Sequence, residues 1–147
     1  MNIRRKILET ALAEYGVTEI PGSEHNKRIL QYAEFSGIPE YDRDEIAWCG
    51  LAMAYVFTKC DVPIPEKPLL ARSWLNVGRE TMFPNVGDLA IFWRVSPESW
   101  QGHVGLVINM YGEYIHVLGG NQRNQVNISR YKSSELLGYR EIVTEYR

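Results

Sequence analysis

The chain has 147 residues, of which 45% are hydrophobic, and a formal net charge of −2. This length and apolar content suit one domain over residues 1–147, whose core needs neither disulfides nor metal. The near-neutral charge argues against nucleic acid as the main partner. No segment is apolar enough over the length needed to span a membrane, and the basic N-terminus lacks the contiguous apolar run of a signal peptide.

The first half of the chain predicts four helices, because apolar residues recur there at helical spacing between glycine and proline breaks. The first helix stops at Gly16, and the second has Ser23 as its N-cap and ends near Gly37. The third and fourth run from about Ile46 to Lys59 and from Leu69 to Val77.

The pattern changes after Gly87, where short runs of β-branched and aromatic residues predict strands. These runs cover residues 88–93, 103–110, 113–118, 125–129 and 137–143. The glycine in Tyr111-Gly112-Glu113 predicts a tight antiparallel hairpin. Helices followed by an antiparallel sheet indicate the α+β class.

Cys49 is the strongest candidate for a catalytic residue, because it lies where a polar loop meets an apolar helical run. Amides and the dipole at a helix start favour the thiolate, so we expect a pKa below the ordinary value of about 8.5. A cysteine on an apolar helix can equally be a core residue. Cys60 is roughly 16 Å further along the same helix, beyond disulfide reach, so both thiols are expected to be free and Cys60 structural.

A thiol nucleophile needs an imidazole as base and a group that orients the imidazole. His103 opens one predicted strand and Asn121 follows the next, so an antiparallel hairpin would place them side by side. His116, inside that second strand, is the reserve for the orienting role. His25 lies in a polar turn, so we expect its side chain to face solvent. The three histidines lack metal-ligand spacing, so neither a metal nor another cofactor is expected.

Several motifs then occur in a familiar order: Trp48-Cys49, the segment 70–75, the segment 87–92, Gly102-His103-Val104-Gly105 and the segment 117–122. In this the chain resembles the NlpC/P60 and CHAP superfamily of bacterial cell-wall hydrolases, including its phage-associated members. The resemblance implies a papain-like fold, with the nucleophile at a helix N-terminus packed on a C-terminal antiparallel sheet. It implies Cys49 as nucleophile and His103 as base. Asn121 matches the CHAP-type third residue, and a second histidine, here His116, is the NlpC/P60 alternative.

The resemblance further implies a peptidoglycan hydrolase that cleaves an amide through a thioester, as a stem-peptide endopeptidase or an N-acetylmuramoyl-L-alanine amidase. The partner would be the peptide part of the wall, with the protein acting as a monomer. Tyr41 is a candidate side-chain donor for the oxyanion, beside the Cys49 backbone amide. Trp48, Trp74 and Trp100 are candidates for lining a substrate groove, with the core as the alternative.

Two other functions fit the same residues. The chain could be an inactive wall-binding or phage structural module of this fold, or an acyltransferase acting on a protein. Without a secretion signal, the protein would be made in the cytoplasm. It would then reach the wall through lysis as a phage endolysin does, in a virion, or through a secretion machine.

Overall fold

The protein is α+β, with helices followed by a six-stranded antiparallel sheet. A computed structural model describes residues 2–20, 26–39, 41 and 47–143. The helices are α1 (Ile3–Leu12), α2 (Lys27–Ser36) and α3 (Cys49–Lys59), with 3-10 turns at Ala71–Asn76 and Ser133–Glu135. The strands are β1 (Arg79–Thr81), β2 (Leu89–Trp93), β3 (Gly102–Tyr111), β4 (Tyr114–Gln122), β5 (Gln125–Lys132) and β6 (Leu136–Glu141).

The predicted helices are largely present, but several of their ends differ from the prediction. Helix α2 begins after Asn26, whose side chain accepts the Arg28 amide, so the N-cap predicted at Ser23 is wrong; Ser23 itself lies outside the described residues. Gly37 ends α2 with a φ of 72°, as a glycine C-cap should. The fourth predicted helix is a single 3-10 segment, Ala71–Asn76. His25 and Ile46 also lie outside the described residues.

The strand order is β1-β6-β2-β3-β4-β5. The hairpin predicted at Tyr111-Gly112-Glu113 joins β3 to β4, and Gly112 has the positive φ of 60° that the turn requires. Strand β1 was not predicted, because Arg79-Glu80-Thr81 carries no apolar alternation. The C-terminal strand β6 pairs with β1 on one side and with β2 on the other. It therefore lies inside the sheet although it comes last in the chain.

The central strands of the sheet are buried on both faces. One face packs under the three helices in the main core. The other encloses a smaller cluster that includes Phe92 of β2 and Val107 of β3. The rings of Phe92 and Tyr131 stack with centroids 5.0 Å apart although β2 and β5 are three places apart in the sheet. The sheet therefore curls strongly around this second cluster.

A buried ion pair joins the first helix to the sheet. The Asp88 carboxylate, just before β2, accepts a hydrogen bond from Arg4 Nε at 2.7 Å and from the Asn85 amide at 2.7 Å. Asp88 is 1% exposed, so these donors compensate for the loss of hydration of its charge. Asp88 thus fixes the start of β2. Among the helices in the described ranges, none has the length and apolar character needed to cross a membrane.

Candidate active site

Cys49 is the first residue of α3, and its side chain is buried. The helix is apolar all round, and every residue from 49 to 57 is buried, because the helix lies between the other helices and the sheet. Strand β4 lies directly against its first turn: a Cβ at Gly120 would lie 2.6 Å from Ala52 Cβ and 2.9 Å from the Trp48 ring. This close approach requires glycine and brings the start of α3 against the strands that carry the histidine.

His103 is the second residue of β3, opposite Phe92 of β2, and is buried. The Tyr131 ring from β5 stacks on its imidazole, with centroids 4.6 Å apart and planes 17° from parallel. Its Nε2 atom lies 2.8 Å from Gln122 Oε1 at the end of β4. The imidazole is therefore fixed by a stacked ring and by a hydrogen bond at one nitrogen.

The hydrogen bonds of Gln122 determine which nitrogen of His103 carries the proton. The Gln122 Nε2 group donates to Val117 O at 3.1 Å, Asn127 O at 2.8 Å and Asn127 Oδ1 at 2.9 Å. Because carbonyl oxygens only accept, the amide nitrogen must face them and Oε1 must face the imidazole. An amide oxygen also only accepts, so His103 Nε2 carries the hydrogen. In the neutral ring Nδ1 is then the free base.

Gln122, rather than Asn121, faces His103 because β4 is irregular where it ends. The pairing with β5 shifts between Gly119 and Gln122, and Asn121 has a left-handed φ of 57°. This bulge moves the following side chain to the other face of the strand. A Cβ at Gly119 would lie 2.7 Å from Gln122 Oε1, so Gly119 leaves the space in which the glutamine oxygen sits. Regular alternation would have turned Asn121 to this face.

Burial dominates the protonation of both candidate reactive groups. It lowers the pKa of His103 to about 4, against a smaller opposing effect of the Gln122 hydrogen bond, and the Arg94 charge lowers this pKa further. Burial also raises the pKa of the Cys49 thiol, although the backbone amides of Val104 and Gly50 and the Arg94 charge favour the thiolate. The expected low thiol pKa is therefore reversed, since burial outweighs the helix start. Both groups are neutral at pH 7.

The Cys49 thiol and His103 converge through the backbone of β3. The amide that most favours the thiolate belongs to Val104, the residue next to His103. Among the described residues, no hydrogen bond joins the thiol to the imidazole. Both side chains are therefore neutral where the start of α3 meets β3.

An open pocket of about 380 Å³ lies over His103. Its wall includes Gln122, Asn121 and Tyr131 from the site. Arg94 and Arg123, both exposed, also line it, together with Glu135. A substrate entering this pocket would meet the imidazole side of the candidate pair.

The structure brings Asn121 to the pocket but does not bring His116 to His103. His116 pairs with Asn109, six residues along β3 from His103, which places it roughly 20 Å away at the rise of a strand. Its Nδ1 is buried without a hydrogen-bond partner. The side chain next to His103 Nε2 is thus that of Gln122, which was not among the residues predicted for the site.

Of the aromatic residues predicted for substrate contact, Trp100 is exposed and is not among the described residues that line the pocket over His103, whereas the others are buried. Trp48 and Trp74 are fully buried, and their indole nitrogens donate to Glu19 Oε1 and Pro68 O, each at 3.0 Å. Neither lines the pocket over His103, because both are needed to fill the space around α3. Tyr41 is also buried and lines a separate pocket with Leu30 and other residues of α2.

Both cysteines are free, as predicted, and both are buried. Cys60 ends α3 and lies 3.4 Å from the Thr10 hydroxyl, away from the residues of the pocket over His103. In the described part of the chain, no cluster of three or more His, Cys, Asp or Glu residues could hold a metal ion.

Comparison with solved structures gives the fold class. A structure described as similar to lipoprotein, NLP/P60 family, from Staphylococcus aureus subsp. aureus Mu50, matches with a TM-score of 0.55 and 16% sequence identity over 97% of this chain. This chain spans 42% of the length of that one. No protein-family profile and no curated protein matches the sequence. At this identity the likeness is one of fold: helices and an antiparallel sheet arranged as in an NLP/P60 structure.

Proposed function

We propose that the protein is a thiol hydrolase of the papain-like kind that cleaves an amide bond in the peptide part of peptidoglycan. Cys49 is the nucleophile, His103 the base and Gln122 the residue that orients the base. The observation that carries the proposal is the 2.8 Å contact between His103 Nε2 and an anchored Gln122 oxygen. A buried imidazole with one nitrogen fixed and the other free as base is what a thiol mechanism requires.

The reaction begins with transfer of the Cys49 thiol proton to His103 Nδ1. The sulfur then attacks the amide carbon, so a C–S bond forms and the carbonyl oxygen becomes an oxyanion. Collapse breaks the C–N bond, and the Nδ1 proton passes to the leaving amine. Water, deprotonated by the same nitrogen, hydrolyses the thioester and restores the thiol. Gln122 accepts from Nε2–H throughout, which stabilises the imidazolium formed between steps.

The start of α3 supplies donors for the oxyanion. Trp48, the N-cap residue, makes no side-chain hydrogen bond to this helix, and the backbone amides of Cys49 and Gly50 act on the thiol itself. The first amides of a helix have no intrahelical acceptor, so they are free for an anion that develops beside the sulfur. Tyr41 is in a separate pocket, and we assign the oxyanion to backbone donors alone.

The choice of the wall as substrate rests on two observations of different kinds. The ordered motifs of the sequence resemble those of wall hydrolases, and the fold matches that of an NLP/P60 structure. Whether the bond lies within the stem peptide or between peptide and glycan depends on the loops around the pocket, and both bonds belong to the proposal.

Digestion of purified sacculi tests the proposal. Wild-type protein should release muropeptides with new amino and carboxyl ends, identified by mass spectrometry. Cys49→Ala should release none. Cys60→Ala is the matched control, because Cys60 is also a buried free thiol at this helix, and it should behave as wild type, because Cys60 lies away from the pocket over His103. Equal release by wild type and Cys49→Ala, or no release by either, would contradict the proposal.

One observation favours an inactive module of the same fold as the second candidate. The Cys49 thiol is buried, its pKa is raised, and it makes no hydrogen bond to His103 among the described residues. An inert thiol would react with iodoacetamide only above its raised pKa, at the same rate in wild type and His103→Gln. A catalytic thiol would react faster in wild type than in His103→Gln at neutral pH.

A further inference from the structure

The pocket over His103 carries a positive charge in an acidic protein. Arg94 and Arg123 line it, Glu135 is the only acidic residue among the described residues of its wall, and His103 is neutral. The chain as a whole has a net charge of −2, so this pocket differs in sign from the average surface. Among the described residues, neither arginine has a carboxylate within ion-pair distance. Their charges are therefore available to a ligand.

The loop that carries Arg94 is held in place by hydrogen bonds. Arg94 follows β2 and begins the loop 94–101. Arg72 donates to three carbonyl oxygens of this loop, Ser96 O at 2.9 Å, Pro97 O at 2.7 Å and Gln101 O at 2.8 Å. The next residue, Val95, has a φ of 72°, a conformation that is costly for a β-branched side chain. A loop fixed by three carbonyl contacts and held in strain keeps Arg94 at the pocket.

Arg94 acts on the candidate reactive groups as well as on the pocket. Its charge lowers the pKa of both Cys49 and His103. Because Arg94 and His103 line the same pocket, an anion bound to Arg94 would lie near the imidazole and the amide on which it acts. Arg123 follows Gln122 directly and has a left-handed φ of 54°, so the same bulge that turns Gln122 to His103 also presents this second cation.

We infer that this pocket selects substrates with a free carboxylate beside the scissile amide, bound by Arg94 with Arg123. The inference rests on the proposed function for the identity of the substrate as a wall peptide. Peptides carry negative charge as carboxylates, and a guanidinium binds a carboxylate through two parallel hydrogen bonds. A peptide whose carboxylate is replaced by a carboxamide keeps its shape but loses the charge that the two arginines recognise.

Binding affinity measured with a variant that lacks the nucleophile tests this inference independently of the proposed function. The Cys49→Ala protein is titrated with two synthetic stem peptides, identical except that the residue at the scissile amide carries a free carboxylate or a carboxamide. Isothermal titration should show the carboxylate binding about tenfold more tightly or better, the effect of one charge-assisted contact. Adding Arg94→Gln to this protein should remove the preference. Adding Arg130→Gln should keep it, since Arg130 of β5 lies over the Tyr114 ring of β4 and does not line this pocket.

The outcomes are distinct. A carboxylate preference that disappears with Arg94→Gln and weakens in high salt supports the inference, even if wild type hydrolyses neither peptide, in which case only the proposed function fails. Equal affinities for the two peptides, or binding of neither, overturns the inference, even if wild type digests sacculi. A preference that survives Arg94→Gln and Arg123→Gln together also overturns it.

Discussion

Replacing Gln122 with methionine tests how the imidazole is held. The glutamine side chain makes four hydrogen bonds: Oε1 accepts one from His103, and Nε2 donates three. Methionine fills a similar volume but leaves the buried His103 Nε2–H without an acceptor. At about 1 kcal/mol for each bond, with part recovered by relaxation, the free energy of unfolding should fall by about 3 kcal/mol. The value of kcat/KM should fall about 100-fold, the low end of what a positioned base contributes.

Asn121→Gly is the matched control. It removes the neighbouring side chain but suits the left-handed φ of 57° at that position. Hydrolysis of a stem peptide should change less than threefold in this variant. Nitrogen-15 spectra of the histidine ring should show the Nε2–H tautomer in wild type and Asn121→Gly, and a mixture in Gln122→Met. A Gln122→Met protein that is folded and fully active, beside an inactive Asn121→Gly, would refute the assignment.

Three further changes have defined outcomes. Gly119→Ala places a methyl 2.7 Å from the glutamine oxygen and should lower kcat/KM about tenfold, whereas Gly138→Ala, with 3.4 Å to its nearest neighbour, should not. Because the pKa of His103 is about 4 folded and 6.5 unfolded, stability should fall by up to about 3 kcal/mol as the pH drops from 6.5 through 4; an equal fall in His103→Gln contradicts this. Arg4→Leu should cost about 3 kcal/mol in urea unfolding, since it leaves a carboxylate buried, and Arg5→Leu about 0.5.

The sequence was sufficient for the elements whose pattern is local. The apolar spacing of α1, the glycine that ends α2 and the glycine turn between β3 and β4 each depend on a few neighbouring residues, and each was predicted. The position of β6 between β1 and β2 depends on pairing between distant segments, and no local pattern encodes it. Strand β1 is defined by its partner alone, because its residues are polar and exposed or half-exposed.

The candidate site was predicted except where the backbone departs from regular geometry. Cys49 and His103 follow from residue type and element boundaries. Gln122 was missed because strict alternation points Asn121 at His103, and the bulge that reverses this is a tertiary feature. The glycine pair before Asn121 was the available signal, since adjacent glycines in a strand often mark a bulge. The protonation of Cys49 was misjudged because burial depends on how α3 is enclosed.

The central claim, that Cys49 forms a covalent acyl intermediate, is tested most directly by intact-protein mass spectrometry. Wild type is mixed with a wall stem peptide and quenched in acid within one turnover. We expect the mass of wild type to increase by the acyl part of the peptide, carried by Cys49. Hydroxylamine should remove this adduct, and Cys60→Ala should still form it. Release of cleaved peptide with no adduct in wild type, or an adduct that persists in Cys49→Ala, would contradict it.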